Sequence, residues 1–154
     1  MDAPGTWFVT KCLTPRRSAL ADPQAEVIAE ALAHYARSGD VLLAAFCVMP
    51  DHWHALLHPV RPRRLPDFVG KLDRWNSGRT AAALEAYGCV WQDGYHDTRI
   101  RSSRQFRYVI GYIEGNAVGK GLAATAEEWA WSSANPRYSG LMTRPWPWTF
   151  ETDE

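Results

Sequence analysis

Val41-Leu42-Leu43-Ala44-Ala45-Phe46-Cys47-Val48-Met49, Pro50-Asp51, then His52-Trp53-His54-Ala55-Leu56-Leu57 is the stretch that decides the fold. An apolar run, a Pro-Asp turn and a second apolar run read as a hairpin of two strands. Side chains alternate along a strand, so His52 and His54 share one face and Trp53 takes the other, packing into a core. Two imidazoles on one face of a half-buried strand can form half of a metal site. A His-x-His pair alone specifies no chemistry, so the rest of the chain has to supply it.

Before the hairpin, Trp7-Phe8-Val9-Thr10-Lys11-Cys12-Leu13-Thr14 has strand character and is closed by Pro15 and a basic pair. Asp22, followed by Pro23, is the expected cap of a helix that stops at Ser38-Gly39-Asp40. Val27, Ile28, Ala31, Leu32 and Tyr35 form its apolar stripe. After the hairpin, a Pro/Arg-rich link over 59–64 leads to a second helix from Asp67 to about Tyr87, with Asn76-Ser77-Gly78 a place for it to break or bend. Cys89-Val90-Trp91-Gln92 reads as a short strand and Asp93-Gly94 as a turn. Ser102 or Ser103 caps a third helix, expected to run through Tyr108, Tyr112 and Asn116 towards Gly119 or Gly121. The order strand, helix, strand, strand, helix, strand, helix predicts an α+β, ferredoxin-like split βαβ fold. Its antiparallel sheet carries two helices on one face, and one further helix is added. Residues 1–154 read as one domain, with 139–154 an irregular tail rich in Trp and Pro.

The composition suits a domain with a real core: 46% of 154 residues are hydrophobic, and eight are Trp. No apolar run reaches the length of a membrane span, and the N-terminus lacks a signal peptide's apolar stretch. Cys12, Cys47 and Cys89 have no Cys-x-x-Cys spacing and are expected to be buried reduced thiols of a cytoplasmic protein. The formal net charge is zero, yet residues 61–107 hold ten basic side chains against five acidic ones. The basic ones are Arg61, Arg63, Arg64, Lys71, Arg74, Arg79, Arg99, Arg101, Arg104 and Arg107. Such a segment fits a local anion-binding surface or a solvated helix face.

The third helix supplies what the histidines lack. Tyr112 and Asn116 are four residues apart and so lie on one helix face. A phenol oxygen is a possible nucleophile, and an amide oxygen is a hard ligand of the kind Mg²⁺ or Mn²⁺ accepts. Two imidazoles, an amide oxygen and a phosphate oxygen make a mixed N/O set suited to either ion.

Val48-Met49-Pro50-Asp51-His52-Trp53-His54, Trp91-Gln92-Asp93-Gly94-Tyr95-His96-Asp97 and Tyr112-Ile113-Glu114-Gly115-Asn116-Ala117-Val118-Gly119-Lys120-Gly121-Leu122 resemble successive blocks of one family. It is the REP-associated tyrosine transposase family, within the single-tyrosine HUH (His-hydrophobic-His) transposases. Trp131-Ser132-Ser133 resembles its next segment, and Trp7-Phe8-Val9-Thr10 with Arg16-Arg17 is consistent with its first strand. The resemblance spans residues 6 to 138. It implies a metal-dependent nuclease that nicks and joins single-stranded or hairpin repeat DNA. His52, His54 and Asn116 would hold Mg²⁺ or Mn²⁺, and Tyr112 would attack to leave a 5′-phosphotyrosine and a free 3′-hydroxyl. Tyr108, one turn earlier on the same face, is the competing nucleophile.

DNA is the implied partner, for a monomer or a homodimer, with Arg61, Arg63, Arg64, Lys71, Arg74, Arg99, Arg101, Arg104 and Arg107 as candidate phosphate contacts. His58 shares the face of His54 and, like His96, is a secondary candidate for touching substrate or metal. His34 reads as structural. The chain departs from the family at Ala117, where Pro is usual, and in its neutral charge, with an acidic 108–154 segment able to compete with DNA. Two rivals keep the fold: a catalytically silent hairpin-DNA-binding protein, and a phosphoesterase using activated water. Gly111 and Gly115 weaken the helix around Tyr112 and predict a mobile nucleophile.

Overall fold

The computed structural model describes residues 5–153. Its strands are β1 (Trp7–Thr14), β2 (Val41–Met49), β3 (His52–Pro59), β4 (Val90–Trp91) and β5 (His96–Arg99). Its helices are α1 (Asp22–Ser38), α2 (Leu65–Glu85), α3 (Ser103–Glu114) and α4 (Asn116–Gly119). The antiparallel sheet has the order β2-β3-β1-β4, and β5 also pairs with β1. This is the split βαβ order expected from the sequence.

β4 and β5 are one strand interrupted. Thr14 pairs with Val90 and Leu13 with Trp91, whereas Thr10 pairs with His96 and Trp7 with Arg99. The register therefore slips by two residues across Gln92–Tyr95, where Gly94 sits at φ 73°. A buried cation holds this insert: Lys11 Nζ donates to Gly94 O at 2.7 Å and pairs with Asp73 of α2 at 3.0 Å. Burial raises the Asp73 carboxyl even against Lys11.

Both sheet faces are covered. Val9, Leu43, Phe46, Val48, Trp53, Ala55 and Leu57 pack against α1 and α2, with Trp53 fully buried. Ala45, Cys47, Met49 and Leu56 pack on the opposite face against Val109 and Ile113 of α3, Ala117 of α4 and Phe150 of the C-terminal segment. A register shift between Leu43 and Ala45 switches which alternate residues face each layer, so Val41 and Leu43 before it and Phe46 and Val48 after it all face α1 and α2. The outer edge of β2 is covered rather than left open. Val48 N donates to Trp131 O (2.8 Å), Ser133 N to Phe46 O (2.9 Å) and Thr143 N to Leu43 O (2.9 Å).

Three expectations are corrected. α1 starts at Asp22 itself: its cap residue is Ala21, whose N–H donates to Gln24 Oε1 at 3.1 Å. α2 runs unbroken through Asn76-Ser77-Gly78, because Thr80 Oγ1 bonds Asn76 O (2.8 Å) and receives Trp91 Nε1 (3.0 Å), tying that turn to β4. The third helix stops at Glu114 and restarts at Asn116. Its cap is Ser102, which accepts from Gln105 N at 3.1 Å. The three cysteines are free and buried, and no described helix is long and apolar enough to cross a membrane.

Candidate active site

Register brings the histidines to the face that α3 covers. His54 sits between Thr10 of β1 and Cys47 of β2, and His52 between Cys12 and Met49. Both imidazoles are buried, and their Nε2 atoms face each other at 3.0 Å. Each Nδ1 has its own partner: Asp51 Oδ1 at 2.6 Å from His52, and Thr10 Oγ1 at 2.8 Å from His54. Arg16, a donor only, also stands 3.1 Å from His52 Nδ1, but the shorter contact with Asp51, an acceptor only, favours a proton on Nδ1 and a lone pair on Nε2. Asp51 is itself held by Arg16, through Nε (3.0 Å) and a second nitrogen (3.3 Å).

The electrostatics keep both rings neutral. Burial lowers His52 against the pull of Asp51. Burial, helped by His52 and Arg16, takes His54 down to about 3. Burial pushes the Asp51 carboxyl up, but its bonds to Arg16 and His52 outweigh that and leave it below the usual range. Neutral imidazoles and a carboxylate behind one of them are the state in which histidine ligates a cation.

α3 and α4 close over the pair. The Tyr112 ring lies 5.7 Å from that of His54 and 6.0 Å from Phe8, edge-on to both, and remains 47% exposed. Tyr108 is 72% exposed on α3. Asn116 opens α4, and its Oδ1 is buried without a hydrogen-bond partner. Glu114 anchors the end of α3: its Oε2 accepts from Ser133 Oγ (2.5 Å) and Arg144 (3.0 Å), so the helix is docked. Lys120 is near enough to depress His52.

These residues fit the divalent cation the resemblance implies. Two cis ligands at about 2.1 Å from an octahedral ion stand about 3 Å apart, the observed Nε2 separation. Asn116 Oδ1, buried and unsatisfied, lacks a partner a cation would provide. No group of three His, Cys, Asp or Glu side chains suited to a metal exists among the described residues, and the Asn116 amide oxygen is the further hard donor the chain offers near this end of the sheet.

The basic residues divide. Arg101 leads into α3, and Arg104 and Arg107 lie on it, in the layer that covers the histidine face, whereas Arg99 closes β5 opposite Trp7 and stands 5.8 Å over its ring. Lys71, Arg74 and Arg79 belong to α2, in the layer on the opposite face. There Lys71 sits over Tyr35 and Arg79 stacks on Trp75 at 3.1 Å. Arg61, Arg63 and Arg64 lie between β3 and α2, with Arg63 paired to Asp40 at 3.3 Å. The C-terminal segment occupies part of the basic surface: Glu151 pairs with Arg101 at 2.7 Å, and Asp153 accepts from Ser103 N at 2.9 Å. His96 is exposed on β5, and His34 stacks edge-on with Tyr35 on α1. Sequence reasoning missed Thr10, Arg16 and Lys120 beside the histidines and read Asp51 only as a turn. The one available signal was Asp51's adjacency to His52.

A family model described as "Transposase IS200 like" matches residues 8–116. The chain is 28% identical over 133 residues to the REP-associated tyrosine transposase of Escherichia coli (strain K12), covering 84% of this chain and 76% of that protein. Its fold is similar to that of a REP-associated tyrosine transposase bound to a REP hairpin. That match has a TM-score of 0.71 and 24% identity, covering 98% of this chain and 89% of the other. A protein of Deinococcus radiodurans R1 is similar at a TM-score of 0.54 and 24% identity, covering 75% of this chain and 92% of that one.

Proposed function

The chain belongs to the IS200-like transposase family, and from that premise we propose that it nicks and rejoins single-stranded or hairpin repeat DNA through Tyr112. The observation that carries the reading is Tyr112 set against the buried His52–His54 pair, with Asn116, its oxygen buried and unsatisfied, one helical turn further on. The E. coli relative's name and the REP hairpin in the similar structure support the choice of substrate.

His52 Nε2, His54 Nε2 and Asn116 Oδ1 would hold Mg²⁺ or Mn²⁺, which when bound polarises a phosphate oxygen as a Lewis acid. Asp51 and Thr10 fix the ring orientations. Tyr112 Oη attacks phosphorus: the new P–O bond to tyrosine forms as the P–O3′ bond breaks. The phenol proton passes to water from this half-exposed position, and the departing 3′-oxygen takes a proton to become a hydroxyl. The 5′-phosphotyrosine conserves the ester bond, so attack by a 3′-hydroxyl reverses the step and joins strands. The reaction would take place in the cytoplasm, and one chain holds every group named.

The test is incubation with labelled hairpin repeat DNA and Mn²⁺, followed by a search for a complex that survives denaturation. An adduct absent from Tyr112→Phe and His52→Ala is expected. Cleavage persisting in Tyr112→Phe would assign the attack to water. Hairpin binding without cleavage would make the chain a catalytically silent binder.

A further inference from the structure

His58 is on the face of β3 that carries His52 and His54 but does not join them. Four residues beyond His54, it is roughly 13 Å along the strand, too far to share an ion. It instead forms one wall of a cleft of about 590 Å³ between the end of β3, the β5–α3 connection and the C-terminal segment. Its ring lies flat on Trp148, with centroids 4.0 Å apart and planes 10° from parallel. Thr6 Oγ1 meets His58 Nδ1 at 3.1 Å and receives Trp146 Nε1 at 3.1 Å, so the histidine is fixed from behind. Trp148 is left 45% exposed beside this cleft.

Two cations line the cleft, Arg61 and Arg99, the latter also 5.8 Å over the Trp7 ring. Neither has a carboxylate in ion-pair contact among the described residues. Glu151, also in the lining, is engaged by Arg101. Ile100 and Val60 supply apolar walls. An open indole, apolar walls and two guanidinium groups match the two halves of an unpaired nucleotide, a π-face to stack and a phosphate to pair. The volume falls in the range of about 300–1,000 Å³ typical of small-ligand sites.

We propose that this cleft binds one unpaired nucleotide of the DNA strand, its base on Trp148 and its phosphate at Arg61 and Arg99. The inference rests on the DNA reading above and adds a second point of grip. α3 spans the two: Phe106 packs on Trp146 (5.2 Å) and Phe150 (5.5 Å) at the cleft end, and Tyr112 stands over His54 at the other. At about 3.4 Å per stacked nucleotide, the cleft lies no more than about four nucleotides from the histidine pair. Arg104 and Tyr108 are exposed on the same helix.

The test uses the full chain and a thymidine strand of about 12 nucleotides carrying 5-iodouracil, irradiated and mapped by mass spectrometry. An adduct on Trp148 is expected, and Trp148→Ala should weaken binding about tenfold. Because Trp148→Ala also removes packing on His58, Arg61→Ser is the second variant. It should lower the dependence of log affinity on log salt by about 0.7. A chain that binds the strand with Trp148 unlabelled and both variants at wild-type affinity overturns the cleft assignment alone. A chain that binds no single strand or hairpin overturns the DNA reading with it.

Discussion

Asp51 shows how one side chain can prepare two others. Its Oδ1 lies 2.6 Å from His52 Nδ1, closer than the Arg16 nitrogen at 3.1 Å, and so favours a proton there and a lone pair on the Nε2 that faces His54. Arg16 compensates the carboxylate's charge from the solvent side. Outer-shell partners of this kind are commonly worth about 10–100-fold in metal affinity. Asp51→Asn can keep one acceptor oxygen towards His52 but loses the charge and one of the two oxygens that hold Arg16, so calorimetric titration with Mn²⁺ should show affinity about tenfold weaker, with the fold intact. Wild-type affinity in that variant would mean the carboxylate does not tune the pair. The alternation that puts His52 and His54 on one face is a property of any strand and was readable directly. The contacts of Arg16 and Thr10 were not, because they depend on the pairing of Cys12 with His52 and Thr10 with His54 across 40 or so residues of chain.

The break between α3 and α4 is the decisive event among the elements. Gly115 has ordinary helical-region angles, φ −87° and ψ −3°, so its lack of a side chain serves close approach rather than an unusual backbone. A Cβ there would stand 2.9 Å from Gly111 O, a backbone atom that cannot swing aside. Gly115→Ala should therefore lower stability by about 1–3 kcal/mol and weaken Mn²⁺ binding by displacing Asn116. Gly111→Ala meets nothing within 4 Å and should raise stability by about 0.5–1 kcal/mol. Thermal unfolding of the two variants checks the contrast, and equal shifts in one direction would overturn it. The sequence predicts one continuous helix here and a bend in α2. Both expectations failed for one reason: local propensity does not register a tether such as Glu114 to Ser133 and Arg144, or Trp91 to Thr80. The same tether docks α3 in this structure, and hydrogen exchange over residues 108–118 as slow as in the core strands would count against the mobility expected of the Tyr112 helix.

On the scale of the molecule, a neutral chain divides its charge between two sides of a sheet. The arginines near α3 share the histidine face, whereas Lys71, Arg74 and Arg79 lie beyond the sheet on α2. Affinity for single-stranded DNA measured against salt should thus lose about 0.7 of log–log slope for Arg104→Ala or Arg107→Ala. It should keep its slope for Arg74→Ala. Equal losses at Arg74 and Arg104 would move the DNA path to the other layer.

What the sequence by itself determined is whatever depends on neighbours in the chain. The periods of 2 and 3.6 identified strands and helices, the hairpin put two imidazoles on one face, and the ordered motif blocks pointed to the family. The tertiary structure decided which distant groups meet: Tyr112 over His54, the Asn116 oxygen buried unpaired, and His58 diverted to a cleft with Trp148. It also sorted the basic segment into two layers. These follow from packing both faces of one sheet, since burying an apolar face fixes where every polar neighbour must stand, and no local pattern in the chain encodes that choice.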